Sequence, residues 1–153
     1  MKKQSFSYLF FKRVFDIILS SIALIILSPI FLTVFLTYQF GQNRGPVIYK
    51  QQRVGLNGQF FNILKFRSMV VNADQKLREN KELYALYVKN NYKLEPNQDP
   101  RITNFGRWLR KTSIDELPQF VNILKGDMSL IGPRPIVQEE LAEYGDRKSV
   151  FLS

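Results

Sequence analysis

The sequence predicts an α+β chain in which a proline-broken, re-entrant membrane helix precedes a β-hairpin and several short helices. Three observations carry that expectation. Residues 17–36 read "IILSSIALIILSPIFLTVFL", twenty positions without a charge, interrupted at Ser28-Pro29. Between residues 47 and 69, two runs rich in β-branched and aromatic residues flank Asn57-Gly58, a dipeptide suited to tight hairpin turns. Beyond residue 70, apolar residues recur at helical spacing, and Ser113-x-x-Glu116 has the form of a capping box. The chain is therefore expected to divide into a basic segment with its membrane helix (1–40) and a small membrane-associated domain (41–153).

Twenty apolar residues match the hydrocarbon thickness of a bilayer as a straight helix. Proline removes an intrahelical hydrogen bond and biases the preceding residue away from helical geometry, so Ser28-Pro29 should bend or end the helix. Positive charge flanks both ends: Lys2, Lys3, Lys12 and Arg13 before the run, Arg44, Lys50 and Arg53 after it. Basic residues mark the cytoplasmic side. Charge on both flanks thus favours a helix that enters and leaves on one face, with a spanning helix that tolerates its proline as the alternative. A secretory signal fits less well, because no small-residue cleavage site follows. Lys12 and Arg13 are expected at anionic headgroups, with Asp16 near the interface.

The remaining elements follow in order. "GQNRGP" (41–46) is a turn-rich exit. The hairpin comes next, closed by Lys65 and Arg67. Residues 71–90 space Leu77, Leu83, Tyr84, Tyr87 and Val88 as one surface helix. "EPNQDPRIT" (95–103) is a loop with two prolines, and "NFGRWLRK" is a short amphipathic piece whose Trp108 either packs inward or lies in the membrane interface. A last helix should start at or near Asp115, where Pro118 costs no hydrogen bond, and stop at Gly126.

Composition narrows the chemistry. The chain of 153 residues has a formal charge of +9, which favours anionic partners such as phospholipid, nucleic acid or phosphorylated small molecules. It contains neither cysteine nor histidine. Thiolate sites, histidine zinc sites, serine–histidine triads and imidazole acid–base catalysis are excluded. Carboxylates, lysine, arginine, hydroxyls and a hard cation remain.

Within that set, Asp115-Glu116 stands out. Most such pairs are capping acids at a helix start, stabilised by its dipole. Here Arg107, Arg110 and Lys111 precede the pair, and Arg134 follows in "GPRP", stiffened by proline on both sides. Arginine binds phosphate through two parallel donors. An ionised carboxylate can attack phosphorus, and its neighbour can hold Mg²⁺, which takes one or two carboxylates together with substrate phosphates. Two adjacent acids can thus divide the work.

The blocks "KRVFD", Ser28-Pro29, "KFRSM", "DPRIT" and "LRKTSIDELPQFVNILKGDMSLIGPRP" run in order from residue 12 to 135. Together they resemble the bacterial sugar transferases, the monotopic phosphoglycosyl transferases that use polyprenol phosphate. The resemblance implies a helix broken at Ser28 and Pro29 and a catalytic domain on the cytoplasmic face of the bacterial inner membrane. It implies that Asp115 attacks the sugar-linked phosphate of a UDP-sugar, releasing UMP, and that polyprenol phosphate then takes the phosphosugar. Glu116 would be the Mg²⁺ ligand. Arg110 and Arg134 match phosphate- and nucleotide-binding positions. Lys65, Arg67 and Arg101 are carried with them, against solvated basic surface as the other reading; Asp127 is either a site support or a turn residue. The family pattern continues into a "PGITG"-like stretch, whereas this sequence ends "DRKSVFLS", so the family's C-terminal part is expected to be missing.

Other readings are an inactive remnant that only binds membrane or a partner enzyme, and a membrane-anchored nucleic-acid binder. The basic residues are spread along the chain and form no nucleic-acid module, so nucleic acid is not expected as a partner. A second copy of the chain stays open as one.

Overall fold

The computed structural model describes residues 5–55, 58–90 and 94–136. It contains α1 (Phe6–Ile26), α2 (Ser28–Thr37), β1 (Ile48–Val54), β2 (Phe60–Phe66), α3 (Ala73–Glu79), α4 (Lys81–Lys89), α5 (Asn104–Lys111) and α6 (Gln119–Lys125). The two strands pair as an antiparallel hairpin, so the class is α+β as the sequence predicts. These elements form two compact units, each assembled from segments distant in sequence.

The break in the apolar run falls where proline demands it. α1 and α2 meet at Leu27 with a bend of 55°. Pro29 has no N–H to offer Ile25 O, and Ser28 Oγ donates to that carbonyl instead at 2.8 Å. No single helix among the described residues is long and apolar enough to cross a membrane; the bent pair together meets the length and composition.

The first unit holds α1, residues 50–54 and 60–65 of the hairpin, α6 and the loop after it. Here α1 is turned inside out. The residues it buries are Asp16 (6% exposed) and Ser20 (0%), while Phe10, Phe11, Phe15, Ile18, Leu19 and Ile22 are exposed. Arg13 and Asp16 account for that inversion. Arg13 donates from Nη1 to Ile123 O (2.5 Å) and from Nη2 to Leu124 O (2.7 Å), and Asp16 Oδ1 accepts from Leu130 N–H (3.1 Å). The last carbonyls of a helix lack intrahelical donors, and a guanidinium there also opposes the helix dipole. Arg13 is thus a cap on α6 rather than a headgroup ligand.

α6 is tied to the hairpin by one buried amide. Asn122 Oδ1 accepts from Leu64 N–H at 2.9 Å, and its Nδ2 donates to Asn62 O at 2.8 Å and to Asp127 Oδ2 at 2.9 Å. The amide therefore satisfies two backbone groups of β2, as another strand would. Asp127 serves the turn, where Gly126 ends α6 in the left-handed region (φ 91°). At the hairpin's far end, Gly58 has φ 74° and donates to Gly55 O at 3.2 Å; Asn57 lies outside the described residues.

The second unit runs from Ile30 to Tyr49 and from Phe66 to Leu117. Its core is Val34 and Tyr38 of α2, Phe66 and Leu109, with Ile30, Phe31, Val47, Phe105, Ile114 and Leu117 packed around them. The single helix expected over 71–90 is two. Asn80 takes extended backbone, and its side chain accepts from Leu83 N–H, ending α3 and capping α4. Trp108 lies half exposed, stacked on Phe105 with ring centroids 5.7 Å apart.

Candidate active site

The second unit builds a site around the acidic pair, starting with α5. Thr103 caps that helix by accepting from Gly106 N–H at 2.9 Å. Arg110, near its end, donates from Nε to Ser68 Oγ at 2.7 Å. Ser113 then reverses the chain in the left-handed region (φ 57°), and Ile114–Glu116 form a single 3₁₀ turn.

This corrects the expected helix start. Ser113 makes no side-chain cap, and the acids do not occupy the first turn of α6, which begins only at Gln119. Pro118 is the reason. Lacking an N–H, it cannot continue an α-helical ladder back to Ile114. The chain instead closes i→i+3 bonds, Glu116 N–H to Ser113 O at 3.2 Å and Leu117 N–H to Ile114 O at 3.1 Å, and begins again from Pro118. The turn is held by its apolar residues: Ile114 and Leu117 pack against the core, with half-buried Asp115 and exposed Glu116 between them.

Arg67 and Arg101 are neither solvated surface nor accessible phosphate ligands. Arg67 is 8% exposed and donates to the carbonyls of Pro46 (2.7 Å), Met69 (2.7 Å), Asn43 (2.5 Å) and Arg44 (3.4 Å). Its guanidinium also lies 5.0 Å from the Tyr38 ring, and Tyr38 Oη donates to Arg67 O. Arg101, 7% exposed, grips Asp99 with Nε (2.9 Å) and Nη2 (2.7 Å), and sits 5.6 Å from the Tyr87 ring. Five donors in a rigid fork suit a loop of orphan carbonyls as well as they suit phosphate. Arg110 differs: among the described residues its hydrogen bond is to Ser68 alone, made through Nε, which leaves its Nη groups without a hydrogen-bond partner among those residues. Lys65 and exposed Arg134 belong to the first unit. There Val54 N–H donates to Ile136 O at 2.9 Å and pins the backbone of "GPRP" to β1.

Two buried groups of this unit make its stability depend on pH. Burial alone would raise the Asp99 carboxyl, yet its bonds from Arg101 hold it below the ordinary 3.8. A depressed carboxylate stabilises above its unfolded value and loses that contribution as pH falls through its folded one. Burial pushes Tyr38 from 10.0 up to about 12, opposed by the Arg67 charge and reinforced by that of Asp115. A raised phenol contributes fully below 10.0 and loses its contribution as pH rises to about 12. The melting temperature should therefore drop on both flanks. Asp99→Asn should blunt the acid limb and cost about 2 kcal/mol at neutral pH, and Tyr38→Phe should blunt the alkaline limb; calorimetry across pH checks both.

Asp115 and Glu116 are the candidate donors for Mg²⁺. They are adjacent hard-oxygen donors, and no group of three carboxylates gathers among the described residues. A cation that takes one or two carboxylates and completes its shell with phosphate and water suits such a pair.

The family model for bacterial sugar transferases matches residues 7–151. The chain belongs to that family. Among curated members, this bacterial sugar transferase is 49% identical over 146 residues to the undecaprenyl-phosphate galactose phosphotransferase of Salmonella typhimurium, covering 94% of this chain and 30% of that protein. It is 44% identical to the exopolysaccharide production protein ExoY of Sinorhizobium fredii, covering 92% of this chain and 62% of that one. With the UDP-glucose:undecaprenyl-phosphate glucose-1-phosphate transferase of Escherichia coli it shares 40% identity over 81% of this chain and 24% of the relative. The sequence thus spans between a quarter and two thirds of these relatives' lengths.

The sequence singles out the acidic pair and Arg110. It passes over Ser68, Gly106, Tyr38 and Asn122. Only Gly106 leaves a signal, a glycine inside an amphipathic helical segment, which weakens a helix and so points to a packing reason.

Proposed function

We propose that this chain transfers a sugar 1-phosphate from a UDP-sugar to polyprenol phosphate at the cytoplasmic face of a bacterial inner membrane. The observation that carries the proposal is the 3₁₀ turn, which presents Asp115 and Glu116 from apolar anchors directly after the Arg110 helix. The names of the relatives supply undecaprenyl phosphate and UDP-glucose as substrate classes.

In this reading an Asp115 carboxylate oxygen attacks the sugar-linked phosphorus. The P–O bond to UMP breaks and an aspartyl-phosphosugar forms, with charge balanced on the leaving phosphate. A phosphate oxygen of polyprenol phosphate then attacks the same phosphorus, forming the diphosphate and freeing Asp115. Arg110 would neutralise charge on the phosphates, a task to which Arg134 and Lys65 are also assigned. Glu116 would hold Mg²⁺, which supplies Lewis acidity at the diphosphate when bound. Arg67 and Arg101 support the scaffold.

The inside-out α1 supports a lipid setting. A helix that buries aspartate and serine while exposing phenylalanine, leucine and isoleucine suits a bilayer rather than water. Bent at Ser28-Pro29, it would dip into one leaflet and return. The test of the reaction is intact-protein mass after incubating the lipid-solubilised chain with Mg²⁺ and a panel of UDP-sugars, without polyprenol phosphate. A gain equal to one phosphosugar is expected; no adduct with any sugar would remove the covalent mechanism for this chain.

A further inference from the structure

The segment after β2 lies against the first turn of α5 with no spare room. A Cβ at Gly106 would stand 1.9 Å from Ser68 O and 2.7 Å from Ser68 Cα. Thr103 N–H donates to that same carbonyl at 3.2 Å, and Met69 forms an antiparallel bridge with Ile102. Glycine at 106 is what admits this approach, and the approach puts the Ser68 side chain alongside α5. Arg110 follows Gly106 by four residues and so lies on the same helix face. Its Nε meets Ser68 Oγ at 2.7 Å, and Ser68 is itself buried.

An unrestrained arginine loses rotamer freedom when it grips a ligand. A guanidinium already held at Nε has lost part of that freedom in advance, and its terminal nitrogens keep the parallel edge that a phosphate accepts. We propose that Ser68 is a positioning residue, holding Arg110 in the rotamer that binds the diphosphate of the donor. This rests on the reading of Arg110 given under Proposed function. Ser68 touches no substrate; it acts through Arg110.

The test is a double-mutant cycle on the full chain in lipid nanodiscs, titrated with UDP, which carries the diphosphate but no sugar to transfer. Arg110→Ala should weaken UDP binding by about a hundredfold and Ser68→Ala by about tenfold. The double variant should bind no worse than Arg110→Ala, because the serine works only through the arginine. Ser68→Thr, which keeps the hydroxyl, should restore most of the affinity, while the melting temperatures of the variants stay close together. Equal loss from Ser68→Ala in both backgrounds, or none in either, overturns the proposal. An unaffected Arg110→Ala overturns the phosphate reading of Arg110 instead. Should Ser68→Ala fail to fold, the Arg110 Nε–H resonance of the unaltered chain decides, identified by its loss in Arg110→Lys. Slow exchange with solvent is expected, and fast exchange overturns the proposal.

Discussion

Asp115→Asn should abolish the phosphosugar adduct and lower turnover by about 10⁴-fold or more, the scale of loss when a covalent nucleophile is removed. The substitution keeps the size of the side chain and its place in the 3₁₀ turn between Ile114 and Leu117, so the fold should persist. Glu116→Gln should behave differently. If the second acid holds Mg²⁺, the adduct should still form at raised metal concentration, with the Mg²⁺ requirement shifted upward. Quench-flow mass measurement of both variants across a Mg²⁺ series separates the two roles. Equal turnover by Asp115→Asn and the unaltered chain would end the nucleophile assignment. Equal metal dependence in all three proteins would end the division of labour.

Gly106→Ala should be the most damaging single methyl in the second unit. In an ordinary helix, glycine to alanine gains up to about 1 kcal/mol. Here the new Cβ would stand 1.9 Å from a backbone carbonyl, and a peptide group cannot swing aside as a flexible side chain can. The segment must move bodily, which strains the Met69–Ile102 bridge, the Thr103–Ser68 bond and the Arg110–Ser68 clamp together. Overpacking typically costs 1–3 kcal/mol, and contact with backbone puts this case above about 3 kcal/mol. For a chain of this size that corresponds to a fall in melting temperature of roughly 10 °C. UDP binding should weaken alongside it. A stabilised Gly106→Ala variant would show that the segment and α5 are not in contact.

The two expectations draw on different kinds of legibility. The acidic pair was readable because its chemistry is local: two carboxylates among arginines in a chain without imidazole or thiol. Its setting was not. The capping-box pattern pointed to a helix start, and Pro118, which the register argument had accommodated inside the helix, instead divides the stretch into a 3₁₀ turn and α6. Local pattern states what a segment can form; hydrogen-bond connectivity through one missing N–H settles what it does form.

The basic residues show the opposite limit. Nothing in the neighbouring sequence separates Arg67 and Arg101 from Arg110. Their partners do: four loop carbonyls for Arg67, Asp99 for Arg101, and one serine hydroxyl for Arg110. Arg13 likewise reads as a headgroup ligand until the end of α6, 110 residues away, supplies two carbonyls.

By itself, then, the sequence determined what depends on covalent chemistry and near neighbours. Proline without an N–H breaks the apolar helix at Ser28-Pro29, two runs rich in β-branched and aromatic residues make the hairpin, and the absence of histidine and cysteine leaves carboxylate chemistry. The tertiary structure alone decided which arginines are spent on the scaffold, which serine holds Arg110, and why glycine stands at position 106. Those depend on which distant groups meet, and a guanidinium is equally suited to a carbonyl, a carboxylate or a phosphate until folding brings one of them within reach.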